Sequence, residues 1–216
     1  MTATAFYGGS FDPPHLGHLG IAQSALDSGR TDRVLLAPAF DPPHKPGRCR
    51  ASFPDRLAMV RLLVAGHPGL EVCDIEGRLA LAPSYTCDVL NALERERPGE
   101  HIQLLIGGDS LLALHTWGHA KELAERYEIL TYPRRGKTPD AAALSRFWPP
   151  DIAGKLLSGV LPGDFFEISS TKIRNSVAKQ RQMRHINSGT TERVEEYIRK
   201  HHLYETGTCQ WQMQTK

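Results

Sequence analysis

Gly8-Gly9-Ser10-Phe11-Asp12-Pro13-Pro14-His15-Leu16-Gly17-His18 decides the fold. It follows a short apolar run, Ala3 to Tyr7, that reads as a strand, and it leads into a stretch with helical periodicity. Open α/β folds place ligand phosphates where a strand hands over to a helix. A loop of glycines lets the backbone come close to a phosphate, because no side chain blocks the approach. His15 and His18, three residues apart, add donors that can carry positive charge near pH 7. Two histidines alone make a poor zinc site, and the glutamate of HExxH is absent, so no metal ligand set is read here. The bland alternative is a pair of histidines that merely cap a helix.

Outward from this phrase, apolar runs alternate with helical patterns. Residues 19–26 carry Ile21, Ala22, Ala25 and Leu26 on one face, and Gly29 ends that helix. Val34-Leu35-Leu36-Ala37 is a buried strand. Residues 39–52 form a proline-rich loop, and 54–64 a helix with Pro54 in its first turn. Residues 70–75 are strand-like. A helix over 84–97 has Ser84 as its N-cap, and 102–106 is a fully apolar strand. Residues 110–114 and 120–124 are helical, broken around Thr116-Trp117-Gly118. A strand at 128–132, a basic loop at 133–139, a short strand at 165–168 and helices at 170–179 and 192–202 complete the pattern. Strands alternating with helices imply parallel βαβ units. The expected fold is α/β, doubly wound around a mainly parallel, Rossmann-like sheet, with a C-terminal helical portion. A single domain spans 1–204, and 205–216 is a polar, flexible tail.

Bulk properties narrow the function. The 216 residues carry 26 basic and 24 acidic side chains, a formal charge of +2, with no long basic block, so nucleic acid is not the expected partner. No basic-then-apolar leader and no apolar run of about 20 residues occurs, which points to a cytoplasmic protein without a membrane partner. Cys49, Cys73, Cys87 and Cys209 form no CxxC pair and read as reduced structural thiols. A homo-oligomer is left open.

A second phrase, Ile168-Ser169-Ser170-Thr171-Lys172-Ile173-Arg174, offers three hydroxyls at a strand-to-helix junction. Arg174 lies one turn beyond Ser170 and can point at the same spot. Alone, the serines could be an ordinary N-cap. A third phrase, Gly107-Gly108-Asp109-Ser110, places a carboxylate at the end of an apolar strand. There it could accept hydroxyl hydrogen bonds from a ribose, or simply cap a helix. Trp117 beside Gly118, in a helix break, offers a flat face on which a cationic ring could stack. A helix starting near Ser84, Tyr85 and Thr86 offers backbone N–H groups to a carboxylate.

The first phrase resembles the GGxFDPxHxGH signature of the HxGH nucleotidyltransferase superfamily, and the second its ISSTxIR motif. Pro83-Ser84-Tyr85-Thr86-Cys87-Asp88-Val89-Leu90 is similar to the PSYTxDTL segment of its nicotinate mononucleotide adenylyltransferases, with Val89 in place of threonine. Gly107-Gly108-Asp109-Ser110-Leu111 with Trp117, and Pro42-Pro43-His44-Lys45, resemble the same family's GxDxL…W segment and PPHK loop. So does the closing Val194…Tyr197-Ile198…His202-Leu203-Tyr204. The sequence departs from the family at 186–191.

The resemblance implies adenylyl transfer from ATP to nicotinate mononucleotide, giving deamido-NAD and pyrophosphate in NAD biosynthesis, with Mg²⁺ accompanying ATP. It implies ATP on Gly8, Gly9, Ser10, Phe11, His15, His18, Gly107, Asp109, Ser169, Ser170, Thr171 and Arg174. Among these His18, His15 and Arg174 would be catalytic. It implies the mononucleotide on Lys45, Ser84, Tyr85, Thr86 and Trp117. The alternatives are another adenylyl- or cytidylyltransferase of the superfamily, taking nicotinamide mononucleotide or phosphopantetheine, or a non-catalytic nucleotide-binding module.

Overall fold

Short, fully buried runs become strands, and the one-sided segments between them become helices. The computed structural model describes residues 1–41, 49–80, 84–133, 139–163, 168–179 and 189–205. In chain order these form β1 (Ala3–Gly9), α1 (Leu16–Asp27), β2 (Arg33–Pro38), α2 (Phe53–Val64), β3 (Leu70–Val72), α3 (Ile75–Leu79), α4 (Thr86–Glu96) and β4 (His101–Gly107). There follow α5 (Gly108–Ala113), a 3₁₀ turn (Leu114–Thr116), α6 (Ala120–Arg126), β5 (Glu128–Tyr132), α7 (Ala141–Leu144), α8 (Pro150–Ser158), α9 (Ser170–Lys179) and α10 (Glu192–Lys200).

Among the described residues the sheet has five parallel strands in the order β3-β2-β1-β4-β5. This is the doubly wound, Rossmann-like α/β fold expected, with helices at the C-terminal end of the chain. Ala3 pairs with His101 and Phe6 with Leu104; Gln103 pairs with Glu128 and Gly107 with Tyr132. Winding reverses between β1 and β4. Ligands of open α/β sheets bind beyond the carboxyl ends of the strands at such a point. In sequence, β1 leads into the first phrase and β4 into Gly107-Gly108-Asp109.

The chain divides into two compact units. The described residues of Met1–Gly8, Ile21–Leu35 and Tyr85–Phe166 form the first. Those of Gly9–Gly20, Leu36–Ser84 and Glu167–Lys216 form the second. In the first, Leu105, Leu130, Val89, Leu90 and Leu123 are fully buried. In the second, α10 docks on α2: Val194 and Ile198 are buried, and the Tyr197 hydroxyl donates to Asp55 at 3.1 Å. Asp55 also receives the Ser52 hydroxyl at 2.6 Å, so the N-cap of α2 and the docking of α10 share one carboxylate.

Several elements depart from the sequence pattern. The strand expected over 70–75 stops at Val72, and Ile75 opens α3, across whose first turn Arg78 pairs with Asp74 at 2.8 Å. The N-cap of α4 is Tyr85, not Ser84. α7 and α8 were not anticipated: α7 is four residues held by the Asp140 cap, and α8 starts on Pro150. Val160 forms an isolated bridge beside Thr131 of β5, with 2.8 Å bonds on either side. Of the strand expected at 165–168, only Ile168 lies within the described residues. Of 205–216, only Glu205 does.

The last helix ends at Lys200, two residues early. His202 takes φ 52°, its N–H bonds Arg199 O at 3.2 Å, and the Leu203 N–H bonds Ile198 O at 3.0 Å. That pair of bonds is a Schellman motif with a histidine in the left-handed position. His202 is therefore a helix stop and not a helix residue. Among the described residues no helix is long and apolar enough to cross a membrane.

Candidate active site

α1 starts at Leu16, so His15 is the residue before the first turn and His18 the third within it. The His18 N–H approaches His15 Nδ1 at 3.3 Å while also bonding His15 O at 2.9 Å. The His15 N–H donates to His18 Nδ1 at 3.1 Å. These reciprocal bonds are a capping box built from two imidazoles. The rings stack at 3.7 Å with 25° between planes, and Phe11 tilts against His18 at 4.8 Å. An Nδ1 that accepts a backbone N–H cannot carry a proton, so each neutral ring holds its proton on Nε2. In this geometry Nε2 is the donor nitrogen of each neutral ring, while residue type alone says only that the pair can carry positive charge near pH 7. Capping and ligand binding are not rival readings: the cap aims the donor.

Gly17 is what permits the stack. A Cβ there would lie 3.0 Å from His15 Nδ1 and 3.1 Å from its Cε1. The glycines at 8 and 9 differ from expectation. They are the last residues of β1, and the positive φ of this stretch belongs to Phe11, at 46°. A Cβ on Gly8 would meet the Phe6 ring at 3.0 Å, and one on Gly9 the Phe11 ring at 3.2 Å. They make room for buried aromatic rings.

The second phrase comes to the first. The Arg174 Nη1 donates to Asp12 O at 2.6 Å, and the Ser170 hydroxyl to Pro13 O at 2.9 Å. From beyond α9, the Thr190 hydroxyl donates to Pro14 O at 2.9 Å, and Gly189 O receives the Leu16 N–H at 2.9 Å. Three successive carbonyls before His15 are thus each met by a donor from the C-terminal part of the chain. The Arg174 Nη2 also bonds the Thr171 hydroxyl at 3.1 Å, and Ser169 accepts the Lys172 N–H at 3.3 Å as the cap of α9. Ser169 thus realises the ordinary N-cap reading.

Asp12, which residue type and spacing do not mark as a site residue, is the hub. Its buried carboxylate accepts the N–H groups of Arg50 (2.8 Å) and Ala51 (3.1 Å) and the Tyr204 hydroxyl (2.7 Å). Burial, and then the Asp12 charge, push the Tyr204 hydroxyl well above its usual pKa and keep it a donor. Fully buried Arg56 donates to Ser10 O at 2.8 Å and Ala51 O at 3.3 Å. Glu76 accepts the Phe40 N–H at 3.1 Å. Burial raises the Glu76 pKa, against smaller opposing pulls from the Ser84 hydroxyl, the Phe40 N–H and the Arg56 charge. The buried Ser84 hydroxyl faces Glu76 without closing a bond of standard geometry, so it serves this network rather than the helix start.

In the first unit, Tyr85 lies against Gly118. A Cβ on Gly118 would fall 2.6 Å from the Tyr85 ring, so a side chain there would have to displace that exposed ring. His119 meets Tyr85 edge-on at 6.0 Å and opens α6 from the left-handed region at φ 59°. The Tyr85-Thr86 and Trp117-Gly118 segments are therefore brought together. The N-cap Tyr85 takes the Asp88 N–H on its carbonyl at 3.1 Å, but its side chain caps none of the first N–H groups of α4. Asp109 is exposed in the first turn of α5, with Gly107 as the N-cap. Lys45 lies outside the described residues.

The cytidylyltransferase-like family model matches residues 6–176. A probable nicotinate-nucleotide adenylyltransferase of Synechococcus sp. (strain JA-3-3Ab) is 39% identical over 91% of this chain and 92% of its own. One of Citrifermentans bemidjiense is 36% identical over 91% and 95%. The chain belongs to the cytidylyltransferase-like family, among its nicotinate-nucleotide adenylyltransferases. The fold is also that of Plasmodium falciparum nicotinic acid mononucleotide adenylyltransferase complexed with NaAD, at TM-score 0.72 and 17% identity, covering 95% of this chain and 98% of that one.

For a member of this family the donor set is telling. Among the described residues no group of three or more His, Cys, Asp or Glu side chains could hold a metal ion. The chain offers backbone N–H groups, imidazole N–H and a guanidinium, which suit an anion. Asp12, Arg56, Glu76 and Tyr204 share one property that sequence reading lacks: each is polar, buried and paired across a long separation.

Proposed function

We propose that the protein transfers the adenylyl group of ATP to nicotinate mononucleotide, releasing pyrophosphate and giving deamido-NAD. An oxygen of the mononucleotide phosphate bonds to the α-phosphorus as the bond from that phosphorus to the β-bridging oxygen breaks. The electron pair leaves with pyrophosphate. The nucleophile is already an anion, so no general base and no covalent enzyme intermediate are required; alignment and charge stabilisation do the work.

The observation that carries this reading is the stacked His15–His18 pair, whose Nδ1 atoms are held by backbone N–H groups. His18 Nε2–H would donate to the α-phosphate as charge builds, and His15 would hold the neighbouring phosphates. Ser169, Ser170, Thr171 and Arg174 would close the β- and γ-phosphate side, with backbone N–H groups of α9 sharing the work because the Ser170 and Arg174 side chains already brace the loop. Asp109 would take the adenosine ribose. Mg²⁺ would accompany ATP and draw off charge from the triphosphate.

Trp117 would stack on the pyridinium ring, and the uncapped start of α4 at Thr86 would receive its carboxylate, which favours nicotinate over nicotinamide. Lys45 would meet the mononucleotide phosphate. One catalytic domain over 1–204, acting in the cytoplasm, belongs to the same proposal.

Pyrophosphate release on mixing the protein with ATP and nicotinate mononucleotide tests the reading, with nicotinamide mononucleotide, phosphopantetheine and CTP in parallel. Release with nicotinate mononucleotide and ATP is expected to dominate. Preference for CTP or for another acceptor would overturn it. His18→Ala should lower kcat by about 10²–10³-fold with the fold intact.

A further inference from the structure

We propose that Tyr204 is a positioning residue for triphosphate binding, acting through Asp12 on Arg174 and the start of α1. The inference rests on the reading of the His15–His18 region as a phosphate site. Tyr204 stands 192 residues from Asp12 in sequence, yet its buried hydroxyl donates to Asp12 Oδ1 at 2.7 Å. The backbone is shaped for this: His202 and Tyr204 both take positive φ, 52° and 65°, which turns the chain back inward after α10.

Four groups compete for one carboxylate. Oδ1 takes the Ala51 N–H at 3.1 Å and the Tyr204 hydroxyl. Oδ2 takes the Arg50 N–H at 2.8 Å and lies 4.0 Å from the Arg174 Nη1. That same Nη1 donates to the Asp12 carbonyl at 2.6 Å. Without the Tyr204 donor, Oδ1 keeps only the longer Ala51 bond, and a buried anion is left under-satisfied. Arg174, 4.0 Å away, is a charged donor near enough to answer it. A guanidinium drawn from the carbonyl to the carboxylate releases Asp12 O, two residues upstream of Pro14 and three upstream of His15. The loop that sets the two imidazoles then loses one of its braces. Tyr204 thus keeps Arg174 on the backbone by satisfying Asp12 first.

The test is calorimetric titration of the full chain with Mg·ATP and, separately, with nicotinate mononucleotide, alongside thermal unfolding. Tyr204→Phe removes the hydroxyl and keeps the ring. It should weaken ATP by about tenfold, the size expected for loss of one hydrogen bond to a charged group, and leave the mononucleotide within twofold. Val194→Ala, in the buried face of α10, should lower Tm at least as much and leave both affinities within twofold. In an Arg174→Lys background, Tyr204→Phe should add little, because the residue it acts through is already altered.

ATP affinity unchanged in Tyr204→Phe, equal weakening in Val194→Ala, or full additivity with Arg174→Lys would each overturn the proposal. Failure of the adenylyl-transfer reading shows separately, as a wild-type protein that binds ATP but forms no pyrophosphate with nicotinate mononucleotide; the ATP titrations then decide the Tyr204 proposal by themselves.

Discussion

Gly17→Ala sets two opposing effects against each other at one position. The added methyl carbon would lie 3.0 Å from His15 Nδ1, where ordinary contact begins near 3.4 Å. The ring must give by about 0.4 Å. A movement of that size takes the 3.3 Å approach of the His18 N–H to His15 Nδ1 past hydrogen-bond range. Losing a helix cap costs about 1 kcal/mol. Replacing glycine by alanine at a helical position returns up to about 1 kcal/mol. Stability should therefore hardly change, with Tm within about 4 °C of the parent.

Activity in Gly17→Ala should not be spared. A catalytic group displaced by 1 Å can cost about 10²-fold, so a few tenths of an ångström should lower kcat by about tenfold. Pyrophosphate release and scanning calorimetry on the same preparation measure both quantities. A variant with parental kcat and a raised Tm would refute the claim that Gly17 exists to clear the histidine stack.

Two-bond ¹H–¹⁵N correlation of the imidazoles at pH 8 should show both His15 and His18 protonated on Nε2; an Nδ1-protonated ring would contradict the reciprocal caps. Trp117→Ala should raise KM for nicotinate mononucleotide by about tenfold and KM for ATP by less than twofold, while equal effects on both would reject the stacking model. Glu76→Gln should change the pH dependence of stability. Burial raises the Glu76 pKa in the folded protein, so its contribution is fully present below the unfolded value of 4.5 and is lost as pH rises through the folded value. The variant lacks that loss, and its Tm relative to the parent should improve between pH 4 and pH 8. A gap that does not move with pH, or that closes in the opposite direction, would show that Glu76 carries no burial penalty.

The parts of this molecule legible in sequence are those set by local pattern. β5 at Glu128–Tyr132 and α9 at Ser170–Lys179 fall residue for residue where apolar run and cap signal place them. The meeting of the two phosphate phrases was legible as an expectation, since two strand-to-helix junctions rich in donors suit one ligand. How they meet was not. Ser170 and Arg174 reach backbone carbonyls of the first phrase, and no periodicity shows which atom a hydroxyl or guanidinium will choose. β3 is too short to separate by pattern from the turn at Asp74, and α7 has only four residues. Asp12–Tyr204 joins residues near the two ends of the chain, beyond any window in which spacing carries information.

The histidine pair shows why structural and chemical readings of one motif should not be set against each other. A helix N-terminus has unmet N–H groups, and something must accept them. In most helices an oxygen does so and its role ends there. Here the acceptors are imidazole nitrogens, and an imidazole that accepts on one side is a donor on the other. The bonds that cap α1 at His15 and His18 therefore also decide which nitrogen carries the proton. They hold the two rings 3.7 Å apart, centroid to centroid. The positive end of α1 then acts on the same region as two N–H donors, and the proposed triphosphate site rests on that arrangement. A substitution that keeps the cap but not the ring, such as His15→Asp, would leave the helix start intact and place an anion where a phosphate should go. Such a variant should fold like the parent and fail to bind ATP, and that difference separates the cap from the chemistry it aims.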